Sequence, residues 1–546
     1  MASKAWTGSG SRLVPGFALL AYSMAALVPL VAILVVAPAS SGSRLAGVFN
    51  TISEPRSIRA IGFTFAQAAV STMAALALGL PGAALVARYR FPGRKAMKAL
   101  SILPFSVPSV LIVLAFVLFY GRAGYLNHFL MWVFNLKEPP IGFLYTFWGI
   151  VLVHGFYEFP VVLQTVGEVW ERLPRDREQA ARLLGAGKLQ AFITGTLPSL
   201  APAIAQAASL CFLLCFFSFA VVMVFGGLVG STLEVEVYRR ARLEADASGA
   251  ATLALAETAI AIAVVTLVSL FERRTASARA AVKLAGSRLE LEKPRGRTKA
   301  ALLAYAVFLA VFFGGPMLSL MVQAFLVRSG PLGPSTFGPD NFLRLFSGSG
   351  SPFLAALLGT VATALPAAFI ATVLGCIGAF SLRRGGSFAK ATAALPLAVS
   401  GIVASLGWSI LFPRGGITLI PFVLALGAMP YVLKSVAAAL STLHQSPLEA
   451  ARTLGASRLT AVFGVELPAV LPAVLAAFAF AFAASAGDVN VPLVLGQGSF
   501  ETLPVYLYRL TSSHRFPEAC AAGVVLALLT SAVFAVKEKR FNNARD

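Results

Sequence analysis

Gln179-Ala180-Ala181-Arg182-Leu183-Leu184-Gly185-Ala186 is followed 270 residues later by Glu449-Ala450-Ala451-Arg452-Thr453-Leu454-Gly455-Ala456, the same short polar phrase written twice. At one distance from its glycine each copy meets a Leu-Pro pair, Leu197-Pro198 and Leu467-Pro468. Internal repetition is settled first because it decides how many like units the chain contains. Each copy reads as a short helix, a turn and a second short helix. The glycine permits the positive φ that ends the first helix. The Leu-Pro pair is expected to open the next apolar run, since proline is tolerated in a helix's first turn.

The register extends beyond the phrase. Pro160 matches Pro430, Gly226 matches Gly496, Thr232-Leu233 matches Thr502-Leu503, and Tyr238-Arg239 matches Tyr508-Arg509. Leu103-Pro104 resembles Leu395-Pro396 at a larger offset, so the halves differ by an insertion or deletion. The sequence therefore predicts two tandem halves, residues 1–271 and 300–546, joined by a basic polar linker at 272–299.

Of the 546 residues 58% are hydrophobic and 12% charged, against about 25% charged in soluble domains. So little polar surface cannot wrap a water-soluble globule, and the reading is an all-α polytopic membrane protein. A bilayer core takes about 20 apolar residues per helix. Twelve runs qualify, near 13–37, 60–87, 99–120, 142–167, 199–225, 249–271, 300–327, 353–382, 391–412, 417–443, 469–495 and 516–536, giving six spans per half. The stretch 126–136 is too short to span and reads as an interfacial helix. Ala37-Pro38-Ala39 looks like a signal-peptide cleavage site, but the run before it is longer than an ordinary signal core. It is retained as a span.

The net charge of +21 could suggest nucleic acid as a partner. The basic residues instead occupy short segments between apolar runs, above all Arg88 to Lys98, Arg172 to Lys188, Arg273 to Lys299 and Lys537 to Arg545. Basic loops mark the cytoplasmic face. Twelve spans put both termini there, and with them both copies of the phrase. No nucleic-acid role is expected. Cys211, Cys215, Cys376 and Cys520 all sit in apolar runs without metal-like neighbours and read as small core residues. No metal site and no catalytic constellation are expected.

Ionisable residues inside spans are functional candidates. Asp488 lies deep in the eleventh run, with Ser218 as its repeat counterpart. Glu158 and His154 are one helical turn apart in the fourth run. The pathway candidates are therefore Asp488, Glu158 and Ser218. Asp488 could alternatively bond between helices, since Gly487 beside it suits close packing, and Glu158 could pair with His154. Lys434 is expected to snorkel to the cytoplasm. Gly185-Ala186-Gly187-Lys188 superficially suggests a phosphate loop. It lacks the upstream glycine, and Leu189 stands where Ser or Thr would bind magnesium.

The pattern E-A-A, three residues, G, and then L-P resembles the coupling-loop motif of bacterial ABC importer permeases. The second copy matches fully, through Glu449, Ala450, Ala451, Gly455 and Ala456. In the first copy Ala180, Ala181, Gly185 and Ala186 match, while Gln179 replaces the glutamate and Glu178 stands adjacent. The resemblance implies a subunit of the inner membrane whose two loops dock into two ATPase subunits. ATP and magnesium would then be bound by those partners, with no cofactor on this chain, and an extracytoplasmic solute-binding protein would deliver the cargo. A fused pair of halves is similar to the thiamine and ferric-iron importer permeases. Phe91-Pro92-Gly93-Arg94, Tyr120-Gly121-Arg122, Cys215-Phe216-Phe217-Ser218-Phe219-Ala220 and Thr502-Leu503-Pro504-Val505-Tyr506-Leu507-Tyr508 tilt the resemblance toward thiamine. A membrane-depth carboxylate suits either cation. An iron or other small-solute permease, an ion-coupled secondary transporter and a membrane-embedded enzyme remain the alternatives. The paired loops disfavour the secondary transporter, and the scattered histidines disfavour the enzyme.

Overall fold

In the computed structural model the apolar runs are helices. The structure describes residues 24–542 apart from 26, 37–43, 101–106, 175, 228, 275–290, 329–334, 348–350, 383–397, 444–445 and 497–499. Ten described helices are long and apolar enough to cross a bilayer, and two shorter apolar helices, Leu27–Val36 and Gly401–Leu411, occupy the first and ninth runs. The chain is an all-α polytopic membrane protein. A small antiparallel hairpin, Leu326–Arg328 against Ser335–Phe337, is an addition that apolar periodicity did not predict. Ala37-Pro38-Ala39 and most of the basic linker lie outside the described residues.

Two three-helix cores carry the architecture. In one, the helices Pro55–Arg88, Phe147–Trp170 and Leu197–Phe216 pack on each other; in the other, Pro352–Leu382, Gly416–Thr442 and Leu467–Gly487 do the same. Small residues set the closeness of both. A Cβ on Gly79 would stand 2.6 Å from Val162 Cβ, and one on Gly375 would stand 2.6 Å from Val432 Cγ1. A polar device also recurs. Thr64 Oγ1 donates to Ala60 O and accepts the Leu233 N–H at 2.9 Å; Thr360 Oγ1 donates to Ala356 O and accepts the Leu503 N–H at 2.7 Å. Each threonine satisfies an amide at a helix start that would otherwise be orphaned. Thr64 and Thr360 stand 296 residues apart, as do Gly79 and Gly375, against 270 for the later matches. The length difference therefore falls between these helices and the Phe147 helix.

The opening helix of each half crosses to the other half. Pro29 of the Leu27–Val36 helix lies against Gly407, leaving no room for a Cβ there. The span Arg297–Phe325 packs on Ser109–Tyr120. Tyr305 donates to Leu78 O at 2.9 Å, and the Phe313 ring stacks 4.1 Å from that of Phe156.

Three boundaries differ from the sequence reading. The Leu-Pro pairs do not open their helices. The helix already runs from Lys188 and from Arg458, through a wide π-turn at Phe192–Thr196 and Val462–Glu466, and on into Leu197 and Leu467. Proline has no N–H to give, so the turn before it opens to an i→i+5 bond rather than breaking the helix. The fifth and eleventh runs are each two helices: Leu197–Phe216 then Ala220–Phe225, and Leu467–Gly487 then Asn490–Leu495. In the third run the described helix starts at Ser109, and Gly121 to Gly124 separate it from Tyr125–Phe134. The latter is the short helix expected at 126–136, with Phe129, Trp132 and Phe134 exposed.

Candidate functional site

The two repeated phrases fold alike. Glu178, Gln179, Ala180 and Ala181 lie on the helix Asp176–Leu183; Glu449, Ala450 and Ala451 lie on Ser446–Thr453. Gly185 and Gly455 follow at φ of 88° and 85°, the left-handed region open to glycine at no steric cost. Beyond the turn, Ala186 N–H donates to Ala181 O and Ala456 N–H to Ala451 O, both at 3.0 Å, the six-to-one bond of a Schellman cap. Each knuckle presents leucine to the outside: Leu183, Leu184 and Leu454 are 88%, 89% and 88% exposed. Large apolar side chains so bare, at the tip of a polar turn, are what a docking surface offers. Gln179, Ala180, Glu449 and Ala450 are exposed on the same helices, with Ala181 and Ala451 half-buried.

Glu178, adjacent to the residue that replaces the motif glutamate, is buried and turned inward. Its carboxylate takes Arg88 Nη2 at 2.7 Å, Arg182 Nη2 at 2.7 Å and the Thr196 hydroxyl at 3.0 Å. Burial alone would raise its pKa, but Arg88, Thr196 and Arg182 outweigh it and hold the group below the usual carboxylate range. The first knuckle is thereby clamped to the end of the Pro55 helix. Arg88 also lies over the Trp170 ring at 5.3 Å. Arg94 bonds Glu171 at 2.8 Å, and Arg90 N–H donates to Glu292 O at 2.9 Å, so the end of the basic linker lies at this same end of the bundle. In the second half Leu448 occupies the position of Glu178, and Glu466 that of Thr196.

At membrane depth a cavity of 430 Å³ opens between elements of both halves. Glu158, Tyr157 and Gln164 line it from the Phe147 helix; Tyr431 from the Gly416 helix; Phe480, Asp488 and Asn490 from around the second helix break. Pro108 and Gly487 close on each other beside it, with room for a Cβ on Gly487 only at 3.1 Å from Pro108 Cγ. The structure thus brings Glu158 and Asp488 together. It does not bring Ser218, whose hydroxyl stands 2.7 Å from His154 Nε2 while Ser71 faces Nδ1 at 3.2 Å. His154 is consequently engaged by two serines rather than by Glu158. Asp488 is not inside a helix but at the break, where its Oδ1 accepts the Val491 N–H at 2.8 Å. A carboxylate there caps the helix Asn490–Leu495 as any N-terminal acid would.

Several buried acids escaped the sequence reading, Glu234, Glu236, Glu257 and Glu466 among them. Glu234 and Glu257 are both fully buried and lie together beside Ser400 of the other half. Glu257 sits in an apolar run, so the rule that singled out Asp488 would have found it. Tyr157 and Tyr431 carried no signal, because a tyrosine in a span reads as packing.

Paired exposed knuckles, two helical cores and a cavity lined from both halves are parts suited to a transport subunit of the membrane. The family model of the binding-protein-dependent transport system inner membrane component matches residues 75–277 and again 386–537, more than half of the chain, and the protein belongs to that family. It is a multi-pass inner-membrane permease subunit of an ABC importer. Among its relatives, the thiamine transport system permease protein ThiP of Escherichia coli K12 is 27% identical over 500 residues, covering 88% of both chains. The thiamine transport system permease proteins of Haemophilus influenzae and of Brucella abortus strain 2308 are each 25% identical, over 87% and 88% of this chain and 87% of their own length.

Proposed function

We propose that this chain is the permease of a thiamine importer, carrying thiamine or its phosphate esters inward from an extracytoplasmic binding protein. The substrate reading rests on one conjunction. The cavity is lined by two carboxylates and, among the described residues, by no Lys or Arg, in a chain whose near-full-length relatives are named for thiamine transport. A cavity of that charge favours a cation. The same relatives favour thiamine over ferric iron.

In the proposed mechanism two ATPase subunits, holding ATP and magnesium themselves, receive the knuckles at 179–186 and 449–456. Closure of the ATPases on ATP moves the knuckles. The halves 1–271 and 300–546, joined by the 272–299 linker, then rock so that the cavity faces the binding protein, and hydrolysis returns it to the cytoplasm. Both termini and both knuckles face the cytoplasm in this reading. A ligand shifts such an equilibrium only by its differential affinity for the two states, so the force must come through the knuckle contacts. Deleting the gene in its host and measuring uptake of radiolabelled thiamine and of ferric iron tests the assignment. Thiamine uptake at nanomolar concentration should be lost and iron uptake retained; the reverse pattern overturns it.

A further inference from the structure

We infer that the cavity recognises its cargo through Glu158, in an aromatic setting made by Tyr157 and Tyr431, and that it takes a flat organic monocation. The inference rests on the proposal that this cavity lies on the cargo's path. Glu158 is 4% exposed, and its Oε2 has no hydrogen-bond partner among the described residues. A carboxylate oxygen held away from water without a donor is costly, and at membrane depth more so. His154, the nearest basic group in sequence, is occupied by Ser71 and Ser218. Glu158 itself lines the cavity, and among the described lining residues there is no Lys or Arg to pair with it.

The surroundings narrow the ligand. The Tyr157 hydroxyl is used on Val107 O at 3.0 Å, so this residue offers the cavity its ring rather than its O–H. Tyr431 packs against Phe480 with centroids 5.3 Å apart. Aromatic faces beside a carboxylate attract a cation that has an apolar, flat body. Among the described residues no group of three His, Cys, Asp or Glu side chains is placed to hold a metal ion, which disfavours a bare cation. The cavity volume of 430 Å³ lies in the range of small-molecule sites, roughly 300–1,000 Å³. Asp488 lines the same cavity, but its Oδ1 is committed to the Val491 N–H. It serves the helix break first. The site is single: the repeat counterpart of Glu158 is Ala428, and that of Tyr431 is Val161. One cargo binds per permease.

The test measures equilibrium binding of radiolabelled thiamine and of N-benzylpyridinium, an unrelated flat monocation, to the purified full-length permease in lipid nanodiscs. The wild type should bind both probes, and 3-deazathiamine, a neutral isostere of thiamine, should compete at least tenfold more weakly than thiamine. Glu158→Gln should weaken both probes tenfold or more, with Glu158→Asp intermediate. Asp488→Asn should lower the melting temperature more than it lowers affinity. Wild-type affinity in Glu158→Gln overturns the inference, as does a wild type that binds neither probe, or a loss confined to Asp488→Asn. The two proposals separate cleanly. If Glu158→Gln loses the N-benzylpyridinium site while the deletion strain still imports thiamine, the cargo assignment falls and the cation site stands.

Discussion

Replacing Gly455 should uncouple transport in proportion to how poorly the new residue tolerates a left-handed backbone. Gly455 sits at φ 85°, and a Cβ built on it meets no atom within 4 Å. The cost of a side chain is therefore conformational alone, about 1–2 kcal/mol for an ordinary L-residue in this region. That shifts the population of the native knuckle by a factor of about 5–30. Asparagine visits the region readily and should cost least; valine, branched at Cβ, should cost most. Gly464 is the control: it is exposed two turns further on, its Cβ would also meet nothing, and its φ is not in the left-handed region. The assay is initial-rate thiamine uptake in cells, normalised to permease in the membrane fraction. Gly455→Asn should keep most of the rate, Gly455→Ala should lose several-fold, Gly455→Val should lose nearly all, and Gly464→Ala should match wild type. All four should insert normally, because the knuckle is not part of either core. Equal rates for Asn, Ala and Val, or an equal loss in Gly464→Ala, would refute the reasoning.

Other consequences are as direct. Glu178→Gln removes the charge that holds Arg88 and Arg182, and should cost about 2 kcal/mol at neutral pH, read as a lower melting temperature of the purified protein. The folded pKa of Glu178 is depressed, so this stabilisation is complete above the ordinary carboxylate value of about 4.3 and fades as pH falls through the folded value. The gap in melting temperature between wild type and Glu178→Gln should accordingly narrow as the pH falls below the ordinary carboxylate value; a gap that does not change with pH would count against the clamp. Gly79→Ala puts a methyl 2.6 Å from Val162 Cβ and should destabilise by about 1–3 kcal/mol, whereas Gly62→Ala, inside the same helix with nothing within 4 Å, should keep or raise the melting temperature. Thr360→Val leaves the Leu503 N–H without its acceptor and should cost about 1 kcal/mol, also visible as a thermal shift.

Much of the site could be read before any coordinate was known, but unevenly. The knuckles were legible because their signals are local: a capping glycine, small residues before it and a proline beyond act within a dozen residues. The inward turn of Glu178 was not legible in this way, because its partners Arg88 and Thr196 come from elsewhere in the chain. Asp488 was singled out as an acid in an apolar run, yet hydropathy could not see that the run is broken there. Phe217 to Phe219 are nearly as apolar as the helix they interrupt, and Asp488-Val489 is too short a gap to end an apolar run. The crossing of the opening helices was invisible too, because any apolar face satisfies a hydropathy window whichever half it covers.

The chain's own residues determined that this protein lives in a bilayer, that it is a doubled unit, and that each unit carries one polar knuckle. Those properties follow from composition, period and local backbone chemistry, which are sums over neighbours in sequence. Which polar groups meet across the membrane was decided by the tertiary structure alone. Glu158 has Ala428 as its repeat partner and Asp488 has Ser218, so the symmetry of the sequence places the two acids at unrelated positions. They line one cavity only because the Phe147 helix of one half faces the helix break of the other. Packing across a long separation in sequence leaves no periodic trace, and it is the packing that turns two isolated carboxylates into one site.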